Sequence, residues 1–114
     1  MSIDYRQARN ENWAKHGVEI THHFSPRECA VEARIPAGLS LPQHAHAHDH
    51  LSVLAQGVAD VYVDGAGTRH IAPKVLTIKA GAVHTVVAVT DVTWVCTHGI
   101  SAEDQADLEK QVLA

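Results

Sequence analysis

The sequence has few aromatic residues, no excess of positive charge and no long apolar run. Aromatic residues make up 4 % of the 114 residues, which disfavours the base-stacking surfaces of proteins that bind single-stranded nucleic acid. The formal net charge of -4 lacks the basic excess that DNA- and RNA-binding domains carry. No apolar stretch approaches the length that a membrane-spanning helix needs. We therefore expect neither a nucleic-acid partner nor a membrane.

Cysteine is also scarce. Cys29 and Cys96 are too few for a disulfide framework, and their spacing matches neither a zinc knuckle nor a CxxC motif. The first residues, 1–9, carry charge and lack the apolar segment of a signal peptide. These features predict a cytoplasmic protein with reduced thiols. The chain length and the 46 % content of hydrophobic residues predict one globular domain.

Short β-rich runs separated by turn residues fill the middle of the chain. They lie near residues 18–24, 28–36, 41–46, 49–56, 58–64, 67–72, 74–79, 83–90 and 92–98. Between two of these runs, Asp64-Gly65 is a typical hairpin signal. Many short strands at regular spacing predict an all-β sandwich or barrel.

The two ends of the chain differ from this pattern. Residues 1–17 are polar and poorly periodic, and we interpret them as an N-terminal arm to a domain that spans 18–114. Near the other end, Ser101 can cap a helix, and Leu108 and Val112 are spaced to share one helix face. We therefore expect a short amphipathic helix over about 101–113.

One predicted strand is apolar on both of its faces. Val83 is followed by the run Val86-Val87-Ala88-Val89, whereas a strand with one face in water would alternate. The barrel interior would cover one face, and a partner subunit could cover the other. This pattern is the basis for our prediction of a homodimer.

Histidine is the most unusual component, with ten in the chain and four of them between residues 44 and 50. His44, His46 and His50 share the same parity, so they point to one face of an extended chain. Imidazole nitrogen is a good ligand for Fe, Mn, Ni, Cu, Co and Zn. A lone histidine is usually solvated or packed in a core, and an HxH pair alone is weak evidence for a metal site. The wider spacing decides between the two interpretations.

That spacing is specific. Five residues separate Gly38 from His44-Ala45-His46, three residues separate His46 from His50, and six more separate His50 from Gly57. The stretch resembles the first motif of the cupin superfamily, in which a glycine, an HxH pair, a glutamate and a second glycine follow at these intervals. The one departure is histidine in place of glutamate at position 50.

A second stretch, Lys79-Ala80-Gly81-Ala82-Val83-His84, resembles the P-x-G-x-x-H of the second cupin motif. Its glycine and histidine are in place, but Lys79 replaces the usual proline. Pro73 stands where a glycine is usual, and Ala88 stands where an asparagine is common. The resemblance covers roughly residues 30 to 98.

The resemblance implies an all-β, cupin-type double-stranded β-helix, or jelly-roll barrel, followed by the short C-terminal helix. It also implies one bound divalent transition metal (Fe, Mn, Ni, Cu, Co or Zn). The implied ligands are His44, His46, His50 and His84. In similar cupins the position of His48 faces outward between ligands, so we leave that residue out.

The remaining histidines carry no motif support. Solvated positions are expected for His16, His22, His23 and His70. His98 is in phase with Trp94 and Cys96 on the last strand, so it could line the pocket, but an ordinary partly buried histidine is the simpler interpretation.

Four neutral ligands leave the charge of a divalent ion unbalanced, so such a site should attract anionic, oxygen-bearing small molecules. The family contains oxygenases, isomerases and lyases, and we favour oxygenase-type chemistry by analogy with the family. Ser52 could orient a ligand, although a serine that merely fills the barrel is the simpler interpretation. No inward-phase acid was found to serve as a general base, and Asp49 and Asp60 are out of phase or too distant. A non-catalytic metal or ligand sensor and a barrel stabilised by a structural metal remain the alternatives.

Overall fold

The computed structural model describes residues 17–43 and 48–99, and these ranges form nine β-strands. The strands are β1 (Glu19–Phe24), β2 (Glu28–Ile35), β3 (Ser40–Gln43), β4 (His50–Gln56), β5 (Val58–Val63), β6 (Ala66–Ile71), β7 (Lys74–Ile78), β8 (His84–Ala88) and β9 (Val92–Gly99). Each strand overlaps one of the nine predicted runs. The predicted N-terminal arm, apart from residue 17, and the predicted C-terminal helix lie outside the described residues. The described ranges hold no helix that is long and apolar enough to cross a membrane.

The strands form two antiparallel sheets. A five-stranded sheet has the order β1-β2-β9-β4-β7, and a four-stranded sheet has the order β3-β8-β5-β6. Strands that are distant in sequence are neighbours in both sheets, as in the pairing of β4 with β9 and of β3 with β8. Both sheets contribute buried side chains to one hydrophobic core, in which Leu54, Val86 and Trp94 are fully buried. The predicted all-β jelly-roll architecture is confirmed.

The predicted hairpin at Asp64-Gly65 is present between β5 and β6. Val63 pairs with Ala66, so the loop has two residues, and both have positive φ angles of 48° and 85°. These angles are those of a type I′ turn, whose twist matches that of the two strands. The turn therefore forms because aspartate and glycine tolerate a backbone that most residues avoid.

The side chain of Gln56 points in a different direction from the one that simple alternation predicts. Simple alternation along β4 places Gln56 on the same face as Ser52 and Leu54, but Gln56 is exposed and its side chain accepts a hydrogen bond from Thr93 Oγ1 at 3.1 Å. The pairing of β4 with β9 shifts between Leu54 and Gln56. This bulge adds one residue to β4, which reverses the inward–outward order beyond it.

Strand β8 has one buried face, formed by His84, Val86 and Ala88. On the flanks of the strand, Val83 is 57 % exposed and Val89 is 39 % exposed. The described part of this chain thus leaves both of these valines accessible to solvent. The predicted homodimer, in which a partner subunit would cover the opposite face, stays a prediction.

Gly57 joins β4 to β5 at a position where no side chain fits. Its φ is 91°, and a Cβ atom there would collide with the backbone carbonyl of Asp91 and lie 2.8 Å from Thr90 Oγ1. Gly38 has a similar φ of 86° but open space around it. Comparing the two positions separates backbone strain from steric exclusion.

We expect Gly38→Ala to lower the free energy of unfolding by about 1–2 kcal/mol through backbone strain alone. Gly57→Ala should lower it by a further ~1–3 kcal/mol because the methyl group is also overpacked. Urea denaturation of both variants measures this, with Gly99→Ala as a control, since Gly99 has open space and no positive φ. Equal losses at positions 38 and 57 would show that the contact with Asp91 is unimportant.

Candidate metal centre

The two cupin-like motifs meet inside the barrel at His50 and His84. His50 begins β4 in the five-stranded sheet, and His84 begins β8 in the four-stranded sheet. Their ring centroids are 5.8 Å apart. His50 is 7 % exposed and His84 is 1 % exposed, so both imidazoles are removed from water. Two residues separated by 34 positions in sequence are therefore neighbours in one buried site.

Alternation along β4 directs His50 inward. His50, Ser52 and Leu54 are buried, and Leu51 between them is exposed. Just before the strand, the exposed carboxylate of Asp49 accepts a hydrogen bond from the backbone N–H of Ala80 at 2.7 Å. This bond ties the start of β4 to the loop that precedes β8, so it helps to hold the two motifs together.

A tight turn positions the second motif ahead of His84. The N–H of Ala82 donates to the carbonyl of Lys79 at 3.1 Å, and Gly81 has a φ of 78°. A positive φ at the third residue is the requirement of a type II turn, which explains why a glycine serves there. Lys79, in place of the usual proline, makes an exposed ion pair with Asp49 at 3.6 Å.

Asp64 holds Val83, the residue before His84, through two hydrogen bonds. Its carboxylate accepts a hydrogen bond from the N–H of Val83 at 3.1 Å, and its own N–H donates to the carbonyl of Val83 at 2.9 Å. The hairpin turn between β5 and β6 therefore also anchors the start of β8. Because both interactions are with the backbone of Val83, they constrain the direction in which His84 enters the barrel.

The other two predicted ligands, His44 and His46, lie outside the described residues. Strand β3 ends at Gln43, whose Cα partner in β8 is His84, and His44 is the next residue in the chain. Within 17–43 and 48–99, no three His, Cys, Asp or Glu side chains are arranged to hold a metal ion. A complete four-nitrogen site therefore requires His44 and His46, and its ligand set stays a prediction.

His98 is a third histidine at this site, and the sequence did not assign it a role. It is partly buried near the end of β9, and its ring stacks on that of His50 with centroids 4.9 Å apart and planes 29° apart. Its in-phase neighbours Trp94 and Cys96 are both buried. That parity was the available signal, but sequence alone could not show which strand would lie beside β9.

Burial is the main cause that lowers the pKa of both His50 and His84. For His50, a hydrogen-bonding interaction with the backbone of His48 and the charge of Asp49 oppose this effect. For His84, the charge of His50 lowers the pKa further, and an interaction with the backbone of Ala82 opposes it. Both imidazoles are therefore neutral at pH 7, the state in which histidine binds a metal.

The remaining buried polar residue of the described ranges is Ser52. Its hydroxyl donates to the sulfur of Cys96 at 3.4 Å, and the indole N–H of Trp94 donates to the same sulfur at 3.1 Å. Ser52 thus packs within the barrel, in agreement with the simpler of its two interpretations.

Asp60 binds Arg69 on the exposed side of the other sheet, with contacts of 2.8 and 3.1 Å, so it does not supply an interior acid.

The other described histidines are His48, His23, His22 and His70. His48 is exposed, as expected. His23 is 56 % exposed and contacts Glu32 at 3.0 Å, whereas His22 is partly buried and stacks on Phe24. His70 is also partly buried, and His16 lies outside the described residues.

The residues present fit a transition metal that prefers nitrogen ligands. Two buried imidazoles lie with their ring centroids 5.8 Å apart in a site that favours their neutral form, and the buried polar groups beside them include no carboxylate among the described residues. Each ring interacts with the backbone of the residue two positions before it, which is His48 for His50 and Ala82 for His84. Backbone partners of this kind are common for metal-ligating histidines. This donor set matches Fe, Mn, Ni, Cu, Co or Zn better than it matches Ca or Mg.

Comparison with known proteins supports the fold. No family model matches the sequence, and no curated protein matches it. An RmlC-like cupin from Desulfovibrio desulfuricans is 28 % identical, with a TM-score of 0.61 over 70 % of this chain and 77 % of that one. A cupin superfamily protein from Desulfitobacterium hafniense is 19 % identical, with a TM-score of 0.65 over 74 % of this chain and 78 % of that one.

A larger enzyme contains a similar domain. The salicylate 1,2-dioxygenase of Pseudoaminobacter salicylatoxidans, in complex with gentisate, matches 95 % of this chain and 35 % of its own, with a TM-score of 0.68 and 9 % identity. The two sheets, their strand order and these similarities agree with the fold that the spacing of the two histidine motifs implies. The chain therefore has the cupin fold.

Proposed function

We propose that this protein binds one divalent transition metal through His50 and His84 together with His44 and His46. The observation that carries the proposal is the meeting of two buried imidazoles from remote motifs, with ring centroids 5.8 Å apart. Burial of two such rings in the barrel is costly unless the rings gain interactions, and metal coordination supplies strong ones.

The donor set also favours a class of ligand. Four imidazoles contribute no negative charge, and the surrounding barrel wall is apolar, so an anionic and oxygen-rich small molecule is the expected partner. A bound divalent ion supplies Lewis-acid or redox chemistry to such a molecule. The protein supplies the dry interior and the fixed imidazoles. We propose a metal-dependent enzyme of oxygenase type, and the fold shared with a dioxygenase supports it as an analogy.

A non-catalytic metal or small-ligand sensor is the second candidate. It is favoured by the position of the nearby carboxylates: Asp49 and Asp64 bind backbone N–H groups of the loop before β8, and Asp60 binds Arg69. These acids are engaged in structural contacts instead of facing the two imidazoles. A reaction that needs a protein carboxylate as general base would therefore lack one among the described residues.

Oxygen consumption with a panel of diketones, catechols and keto acids distinguishes the two candidates. Turnover that the metal-loaded protein shows, and that His84→Gln loses while its circular dichroism spectrum is unchanged, is the expected result for the enzyme. Tight binding of one of these compounds without turnover would instead identify the sensor.

Metal content tests the site itself. Wild-type protein purified without chelator should carry about one transition metal ion per chain, and His84→Gln should weaken metal binding by more than ~100-fold, because loss of a ligand exceeds the effect of outer-shell changes. Inductively coupled plasma mass spectrometry and competition with a chelator measure both quantities. The control is His23→Ala, which removes a histidine that contacts Glu32 on the protein surface. Equal metal binding by all three proteins would exclude His84 as a ligand.

Acid should release the metal. Because burial lowers the pKa of His50 and His84, both rings stay neutral somewhat below the ordinary imidazole pKa of ~6.5, and the metal should be retained there. As the pH falls further, protons compete for the ring nitrogens and the metal is lost. Metal content after dialysis across a pH series gives the midpoint. Full retention at strongly acidic pH would contradict a site made only of histidines.

A further inference from the structure

The ring of His98 stacks on the ring of His50. The two strands β4 and β9 are paired so that Thr97 is opposite Leu51, which sets His98 beside His50. The ring centroids are 4.9 Å apart, and the planes are within 29° of parallel. His84 approaches the same ring at 5.8 Å and a plane angle of 47°. The His50 imidazole thus has two ring neighbours, and only the arrangement with His98 is a stacked one.

Face-to-face contact has a defined mechanical effect on an imidazole. The ring nitrogens lie at the edge of the ring, so a stacked neighbour leaves their lone pairs directed sideways. Rotation about the Cβ–Cγ bond is otherwise only loosely restricted, because this torsion has broad minima. A ring packed against the face restricts that rotation, and a fixed ring orientation is what a ligand with directional coordination requires.

We infer that His98 is a positioning residue that holds the plane of the His50 imidazole and thereby strengthens metal binding. The inference rests on the proposed metal site. It assigns the role to the ring of His98 and not to its nitrogens. Within 17–43 and 48–99, His98, His50 and His84 do not form a group that could hold a metal ion by themselves. The inference predicts that an aromatic ring without nitrogen can replace His98 with little loss of metal affinity.

The test titrates Co²⁺ into the metal-free, full-length protein and records affinity together with the visible absorption of bound Co²⁺. His98→Ala removes the stacked ring and should weaken binding about 10-fold or more, the size expected for loss of a group that orients a ligand. His98→Phe keeps a ring that can stack and should bind within about threefold of wild type with the same spectrum. His23→Ala is the control histidine, since it lies on the exposed side of β1.

A third variant, His98→Leu, keeps apolar volume without a ring and guards against unfolding of the alanine variant. It should bind as weakly as His98→Ala. Unchanged Co²⁺ affinity in both variants overturns the inference while leaving the proposed metal site intact. Binding by His98→Phe as weak as by His98→Leu also overturns it, because the nitrogens of His98 would then matter. A wild-type protein that binds no Co²⁺ overturns the proposed function together with this inference.

Discussion

The contact between imidazoles inside the barrel is the constraint on which the rest of this site depends. His50 and His84 come from different sheets, so their rings can approach to 5.8 Å only when the two sheets close over a common core. Removal from water lowers the pKa of both rings and favours the neutral form. The same burial that is unfavourable for a polar ring thereby favours the form in which histidines bind metals. Packing of the barrel thus favours one protonation state of both imidazoles.

Carboxylates outside the barrel hold the histidines inside it. Asp49 and Asp64 each accept a backbone N–H from the loop between β7 and β8, at Ala80 and Val83 respectively. The hydrogen bond from Ala80 is the main cause that lowers the pKa of Asp49, so this carboxylate stays ionised and keeps its partner. The charged carboxylates therefore lie on the surface, where solvation is favourable, and the neutral imidazoles lie in the interior.

The positions of the strands could be predicted from local patterns. Turn residues and β-branched runs identified all nine strands to within a few residues, and Asp64-Gly65 indicated its hairpin because the required positive φ angles suit those two residues. Simple alternation along β4 places Gln56 on the wrong face. Its outward direction depends on a bulge in the pairing with β9, and the alternation of β4 carries no sign of that pairing.

The sequence by itself predicted a set of candidate metal ligands and the inward direction of His50, because motif spacing and strand alternation are local properties. Tertiary structure alone decided that β9 lies beside β4, and with it the stacking of His98 on His50. The same holds for the use of Asp49 and Asp64 as backbone anchors. These contacts join residues between 19 and 48 positions apart, and their geometry follows from how the sheets pair and close, which no short pattern specifies.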